Sequence, residues 1–169
     1  MPRPMTPRGY WILKEELKRL KAERPVIAQA IEAARAHGDL SENADYDAAK
    51  NKSGLTEARI RDVEAGLAEA QIIDPRSNPR PGRVAFGSTV KIRDLDSGEE
   101  KTVSIYGREE SDAAKGWISF EAPLARALIG KVVGDTATLT LPAGRREYEV
   151  LEISVQYDWE TPPEESLAE

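Results

Sequence analysis

Two apolar stripes with seven-residue spacing constrain the fold of this chain more than any other feature. The first stripe lies between residues 13 and 34 and is interrupted at Arg24. Its members are Leu13, Leu17, Leu20, Ile27, Ile31 and Ala34. The second stripe consists of Tyr46, Ala49, Ser53, Thr56, Ile60, Val63, Leu67 and Ala70. Each stripe predicts a helix with one buried face, and the short connection predicts that the two helices run antiparallel.

The connection between the stripes is short and acidic. Gly38 suits the left-handed position after a helix, and Asp39 and Glu42 have the spacing of a capping box. We therefore predict a first helix ending near residue 36 and a second helix over about 41–73. Asp45 and Asp47 bring the carboxylates to four within residues 39–47, which is more negative charge than a helix start requires.

The pattern changes after residue 74, which predicts a division of the chain. Residues 75–82 hold three prolines and a glycine and are typical of a linker. Residues 83–157 show period-two alternation and one short helical stripe near 124–129. We therefore predict an α+β chain with a helical hairpin (1–74), a linker (75–82), a small antiparallel sheet domain with one short helix (83–157) and a disordered acidic tail (158–169). Within the hairpin, Pro25 predicts a kink or a short break.

Composition excludes several classes of protein. The chain has no cysteine, so disulfides and thiolate metal sites are excluded, and a reducing cytoplasm is expected. No apolar run is long enough to span a membrane. The net charge of −6 is concentrated in residues 158–169, which carry five acids and no base, so a broadly basic nucleic-acid-binding protein is not indicated. We expect a cytoplasmic monomer.

Two separated segments resemble the bacterial Gre factors, the GreA/GreB family. They are residues 38–46 (GDLSENADY) and residues 117–131 (WISFEAPLARALIGK). With the pattern between them, the resemblance covers about residues 5–155. It implies an N-terminal coiled-coil hairpin followed by a domain that looks like an FKBP fold. The basic charge of the second arm is modest, which favours GreA over GreB without deciding between them.

The resemblance also implies a function and a partner. Gre factors enter the secondary channel of bacterial RNA polymerase and stimulate cleavage of the backtracked nascent RNA by the polymerase's own active site. Asp39 and Glu42 match the residues that act there as catalytic carboxylates and hold Mg²⁺ shared with the polymerase. No cofactor is expected in the free protein, and no catalytic activity of its own.

Further residues are predicted to support this role, and they fall into three groups. The supporting tip residues are Ser41, Asn43, Asp45 and Tyr46. The candidate contacts to the polymerase or to the RNA 3′ end are Arg35, Lys50 and Lys52. The loop that matches the contact to the rim coiled coil of the polymerase channel is Glu121, Ala122 and Pro123. Many family members have Asp-Ser-Pro in this loop, so Glu121 and Ala122 are departures.

Several alternatives stay open at the level of sequence. Asp39 and Glu42 could serve only as helix caps, because caps are commoner than metal sites. A regulator of the same shape could occupy the channel without stimulating cleavage. The sheet domain could instead be an FKBP-like peptidyl-prolyl isomerase, and the hairpin could be a plain coiled-coil adaptor, although an adaptor does not explain the acidic tip.

Overall fold

The computed structural model describes residues 2–38, 43–160 and 162. Two compact units are present, and the second is discontinuous in sequence. The first unit comprises residues 12–70, and the second combines residues 2–11 with the chain from residue 71 onward. The predicted bounds differ from this division, because they placed residues 2–11 and 71–74 with the hairpin. None of the helices among the described residues has both the length and the apolar character that a membrane crossing requires.

The first two helices are α1 (Pro7–Arg35) and α2 (Ala44–Ala68). Helix α1 begins with proline at its first position, and the Thr6 hydroxyl accepts a hydrogen bond from the Gly9 N–H at 3.1 Å. The helix is continuous through Pro25, so the alternative of a break there is wrong. Gly38 has a φ of +97°, which is the left-handed backbone conformation predicted for the residue that follows the first helix.

The packing of α1 and α2 follows the predicted stripes. Every member of both stripes is buried or half-buried, whereas Arg24 at the interruption is exposed. Glu16 pairs with Arg59, and Glu23 pairs with Lys52. Glu23 lies seven residues after Glu16, whereas its partner Lys52 lies seven residues before Arg59. The two helices therefore run antiparallel.

Helix α2 is shorter than predicted at both ends. It starts three residues after Ser41 and ends at Ala68, because residues 70–72 form a strand instead. This strand, β2 (Ala70–Ile72), pairs with β1 (Arg3–Met5) in a two-stranded sheet. The pairing continues beyond β2, where the Ile73 N–H donates to the Met5 carbonyl at 2.8 Å.

The second unit contains a five-stranded sheet of order β5-β4-β3-β7-β6. Its strands are β3 (Thr89–Asp94), β4 (Glu100–Tyr106), β5 (Trp117–Ser119), β6 (Thr136–Leu141) and β7 (Gly144–Ser154). The predicted fold class is confirmed, but the sheet is mixed, since β4 and β5 run parallel with Ser104 opposite Trp117. Residues 107–116 cross between them through two 3-10 turns and so allow the parallel pairing.

The core of the second unit lies between the sheet and α3 (Pro123–Leu128). Val90, Ile92, Ile105, Leu128 and Val150 are fully buried there. Val84 lies before the first strand of this sheet and exchanges backbone hydrogen bonds with Gly130 and Lys131 in the loop after α3.

Two segments predicted to be irregular are partly ordered. In the linker, residues 75–77 form a 3-10 turn in which Pro75 is buried. At the start of the acidic tail, the Trp159 ring lies 6.0 Å from the Trp11 ring, centroid to centroid. The disorder predicted for residues 158–169 stays a prediction, and most of that segment lies outside the described residues.

Candidate functional site

Asn43 joins the start of α2 to the end of α1. Its backbone is extended, with φ −93° and ψ 99°, and its Oδ1 accepts a hydrogen bond from the Tyr46 N–H at 3.0 Å. Its Nδ2 donates to the Ala34 carbonyl at 2.7 Å. Asn43 is therefore the N-cap of α2 and also satisfies a carbonyl in the last turn of α1.

This assignment corrects the predicted cap. Asp39 was expected to cap the second helix, with Glu42 completing a capping box, but the cap position is taken by Asn43. Asparagine caps a helix about as well as aspartate. Its amide can also donate to Ala34, which an ionised carboxylate cannot do. Asp39, Ser41 and Glu42 lie outside the described residues, so their role in binding metal stays a prediction.

The described residues after the cap add negative charge but not a complete metal site. Asp45 and Asp47 lie exposed in the first turn of α2, where carboxylates are favoured by the helix dipole. Tyr46 is half-buried in the seam with α1. Across residues 2–38, 43–160 and 162, no three or more His, Cys, Asp or Glu side chains are placed to hold a metal ion. The metal ligands predicted at the hairpin turn, Asp39 and Glu42, are carboxylates, and Mg²⁺ prefers oxygen ligands of this class.

The three predicted basic contacts of the hairpin differ in their surroundings. Arg35 is exposed in the last turn of α1, and Lys50 is exposed on α2. Neither forms an ion pair with another described residue. Lys52 lies 3.8 Å from the Glu23 carboxylate, but its side chain is 64% exposed, so this pair holds it weakly.

The three predicted rim-contact residues form one surface loop ahead of α3. Pro123 is the first residue of the helix, and Ala122 occupies the cap position without a side-chain hydrogen bond. The Glu121 N–H donates to the Ser119 hydroxyl at 3.1 Å, and the Glu121 carboxylate lies 3.2 Å from Arg108 Nη2. The loop is therefore shaped by its own backbone and by one exposed ion pair.

A buried cluster around Arg8 was not predicted from the sequence. Its guanidinium lies 4.1 Å from the Trp117 ring centroid, 4.9 Å from that of Tyr157 and 5.1 Å from that of Tyr106. Burial raises the pKa of the Tyr157 hydroxyl, which accepts a hydrogen bond from the Arg8 N–H at 2.9 Å. The sequence gives no local signal for this cluster, because Arg8 and Tyr157 lie 149 positions apart.

The same cluster bears on the isomerase alternative. Tyr106, Trp117 and Tyr157 were among the few aromatic residues available to line a proline-binding pocket, and they enclose Arg8 instead. Phe86 and Phe120 pack edge to face against each other, with ring centroids 5.9 Å apart. The isomerase alternative is therefore not favoured.

Two family models match this chain. Residues 3–72 match the family described as "Transcription elongation factor, N-terminal", and residues 78–155 match "Transcription elongation factor, GreA/GreB, C-term". Among solved structures, GreA factor homolog 1 of Thermus thermophilus is 28% identical with a TM-score of 0.42, covering 90% of this chain and 99% of that chain.

Curated relatives cover nearly the whole chain. Transcription elongation factor GreA of Ralstonia nicotianae is 55% identical over 148 residues, which are 87% of this chain and 94% of that protein. GreA of Methylococcus capsulatus is 53% identical over 156 residues, covering 91% and 97%. GreA of Psychrobacter sp. (strain PRwf-1) is 51% identical over 154 residues, covering 90% and 98%. The chain therefore belongs to the GreA/GreB family of transcription elongation factors.

Proposed function

We propose that this elongation factor acts on RNA polymerase by bringing the acidic turn of its hairpin to the polymerase active site and stimulating cleavage of the backtracked nascent RNA. The observation that carries the proposal is the capping of α2 by Asn43. Because Asn43 caps α2, neither Asp39 nor Glu42 is needed as the N-cap of this helix. Their charge is then best explained by a ligand outside this chain.

The hairpin is suited to reaching into a channel. Helix α2 has 25 residues, which at 1.5 Å per residue span about 38 Å. Its apolar seam is buried against α1, and its outer surface is solvated and charged. A paired helix of this kind keeps its shape without a surrounding domain, so its turn can enter a narrow site.

Asp39 and Glu42 are the residues that would hold Mg²⁺ together with ligands of the polymerase. A bound Mg²⁺ stabilises the negative charge that develops on the phosphate oxygens during phosphodiester hydrolysis. Two carboxylates supply too few ligands to bind the ion well alone, so this chain would not act as a free-standing nuclease. Arg35 and Lys50, which are both exposed on the hairpin, would neutralise phosphates of the RNA 3′ end.

The second unit would supply affinity through the loop of Glu121, Ala122 and Pro123. Pro123 fixes the backbone at the first position of α3, and the Glu121 N–H donates a hydrogen bond to the Ser119 hydroxyl. A loop already ordered before binding loses less conformational entropy on docking. The proposed division of labour is that this loop contributes to binding at the rim coiled coil, whereas the hairpin turn contributes to catalysis.

The test uses stalled, backtracked elongation complexes with and without the full-length protein. We expect accelerated release of 3′ RNA fragments, whose lengths would also assign the GreA or GreB subtype. Asp39→Asn should lower the stimulated rate by a factor on the order of a hundred while binding to polymerase is kept. A wild-type protein that binds but releases no fragments would instead be a channel-binding regulator without cleavage activity.

A further inference from the structure

The loop that follows α3 presents exposed apolar side chains among cations. Ile129 is 40% exposed and Val133 is 57% exposed, and these two aliphatic residues lie only four positions apart. Arg126 lies one turn before Ile129 on α3, and Lys131 lies between the two aliphatic residues. We call this surface the exit patch, consisting of Arg83, Arg126, Ile129, Lys131 and Val133.

Backbone hydrogen bonds fix the exit patch from two sides. Gly130 donates to the Val84 carbonyl at 2.8 Å, and Val84 donates to the Lys131 carbonyl at 2.9 Å. Gly134 donates to the Val150 carbonyl at 2.9 Å. Gly130 and Gly134 have φ of +93° and +94°, values that other residues adopt at a cost. The loop is thus held rigidly to the core while its two aliphatic side chains remain outside.

The charge of the exit patch is largely uncompensated. Arg126 and Lys131 have no ion-pair partner within the part of the chain that the structure describes. Asp135 is the carboxylate nearest in sequence to Lys131, and it accepts a hydrogen bond from the Val132 N–H at 2.9 Å. Arg83 donates to the Gly130 carbonyl and so also has a structural role. A favourable interaction with the end of a six-residue helix could account for Arg126 but not for the exposed Ile129 and Val133.

These features fit a protein partner better than a nucleic acid. Protein interfaces combine an apolar centre with arginine and a polar periphery. Single-stranded nucleic acids are usually bound by stacking on aromatic rings, and residues 123–135 contain no aromatic residue. Residues 75–157 also carry 12 bases and 12 acids, so the region as a whole does not attract polyanions.

We propose that the exit patch is a second docking surface, which receives an acidic protein segment with an apolar centre on RNA polymerase. This inference rests on polymerase being the partner proposed above. The exit patch lies at the opposite end of α3 from Glu121, Ala122 and Pro123, and six helical residues span about 9 Å. One partner segment could therefore contact both ends of α3.

The test measures the Kd of full-length variants for polymerase elongation complexes. Arg126→Glu and Val133→Ser should each weaken binding about tenfold, and the loss for Arg126→Glu should shrink at high salt. The matched controls are Arg145→Glu and Leu95→Ser, which change an exposed arginine and an exposed aliphatic residue elsewhere in the second unit. Both controls should bind like the wild type. At saturating concentrations, all four variants should stimulate cleavage at the wild-type rate.

The other outcomes each contradict the inference. Wild-type affinity of both Arg126→Glu and Val133→Ser, in a protein that binds and stimulates cleavage, would overturn it and leave the proposed function intact. A wild-type protein that does not bind polymerase would overturn both. An equal loss of binding to free RNA would identify a nucleic-acid site instead. If removal of residues 161–169 abolished the effect of Arg126→Glu, the occupant would be the chain's own tail.

Discussion

Arg8 and Glu110 are 102 positions apart, yet Arg8 Nε donates a hydrogen bond to Glu110 Oε2 at 2.7 Å. The Glu110 side chain is fully buried, and that of Arg8 is 11% exposed. The other carboxylate oxygen of Glu110 accepts from the Thr6 hydroxyl at 2.8 Å, and Thr6 in turn caps α1. The ion pair therefore links the start of α1 to the interior of the second unit.

Removing the Glu110 charge should strongly destabilise the second unit. Glu110→Gln leaves the Arg8 guanidinium buried without its counter-ion, and breaking a buried pair in this way costs about 3–5 kcal/mol. Urea unfolding followed by tryptophan fluorescence would measure the change, since Trp117 lies against Arg8. Glu99→Gln, an exposed change in the same unit, is the control and should alter the free energy of unfolding by less than about 0.5 kcal/mol. Equal stability of the two variants would contradict the structural role.

The neighbouring Glu109 should make stability depend on pH in the opposite sense to most carboxylates. Burial raises the pKa of Glu109, and the charge of Glu110 adds to the effect, while Arg3 and Arg108 oppose it. The folded state then binds the proton more tightly than the unfolded state. The stabilising contribution is present below the ordinary pKa of 4.5 and is lost as pH rises through the folded value.

Glu109→Gln should therefore be more stable than the wild type at neutral pH. The difference in melting temperature should shrink towards zero as the pH is lowered below about 4.5. Paired thermal melts of the two proteins across this range measure it directly, and the common effects of other carboxylates cancel in the comparison. A variant that is less stable than the wild type at pH 7 would show that the Glu109 charge is stabilising.

The hairpin turn allows capping and catalysis to be separated by two substitutions. Asn43→Ala removes the cap of α2 and its bond to Ala34, so it should lower the free energy of unfolding by about 1–2 kcal/mol. Asp39→Ala should leave stability unchanged, because Asn43 occupies the N-cap position of α2. The rate of stimulated RNA cleavage at saturating protein should respond in the opposite order. Asp39→Ala should lower this rate strongly, whereas Asn43→Ala should lower it only slightly. Normal cleavage by Asp39→Ala would rule out the proposed metal role.

Packing should contribute more to the stability of the hairpin than its surface ion pairs. Ile60 is 1% exposed in the seam, and Ile60→Ala should cost about 2–5 kcal/mol. Arg24 is exposed where the stripe is interrupted and pairs with Glu57 at 2.8 Å. Arg24→Ala should cost much less, because exposed pairs gain little in water. Helix content monitored by circular dichroism during urea unfolding would rank the two variants.

Local patterns explain which parts of the fold could be predicted. The heptad stripes and the period-two alternation within residues 83–157 depend on residues close together in sequence, and the helices and the sheet that they predict are confirmed. The start of α2 was placed wrongly, since Asp39 and Asn43 both suit an N-cap and only the contact to Ala34 distinguishes them. The parallel pairing of β5 was missed because strand direction depends on the path of the 107–116 crossover.

Long-range contacts explain most of what was missed in the candidate sites. Nothing near Arg8 in the sequence indicates Glu110, Trp117 or Tyr157. The loop of Glu121, Ala122 and Pro123 was recognisable from its resemblance, whereas the exit patch depends on Val84 and Val150 holding the α3 exit in place. The family could be assigned from the sequence, but the second unit's dependence on residues 2–11 could not.

The discontinuous second unit has a consequence for how the protein forms during synthesis. Arg8 is synthesised 149 residues before Tyr157, whose hydroxyl accepts a hydrogen bond from the Arg8 N–H. At about 5–20 residues per second, roughly 7–30 s separate the two events. The helices of residues 12–70 can pair within that interval, while the apolar side chains of Met5 and Trp11 remain exposed to water. Residues 2–11 therefore stay accessible to chaperones long after they have left the ribosome.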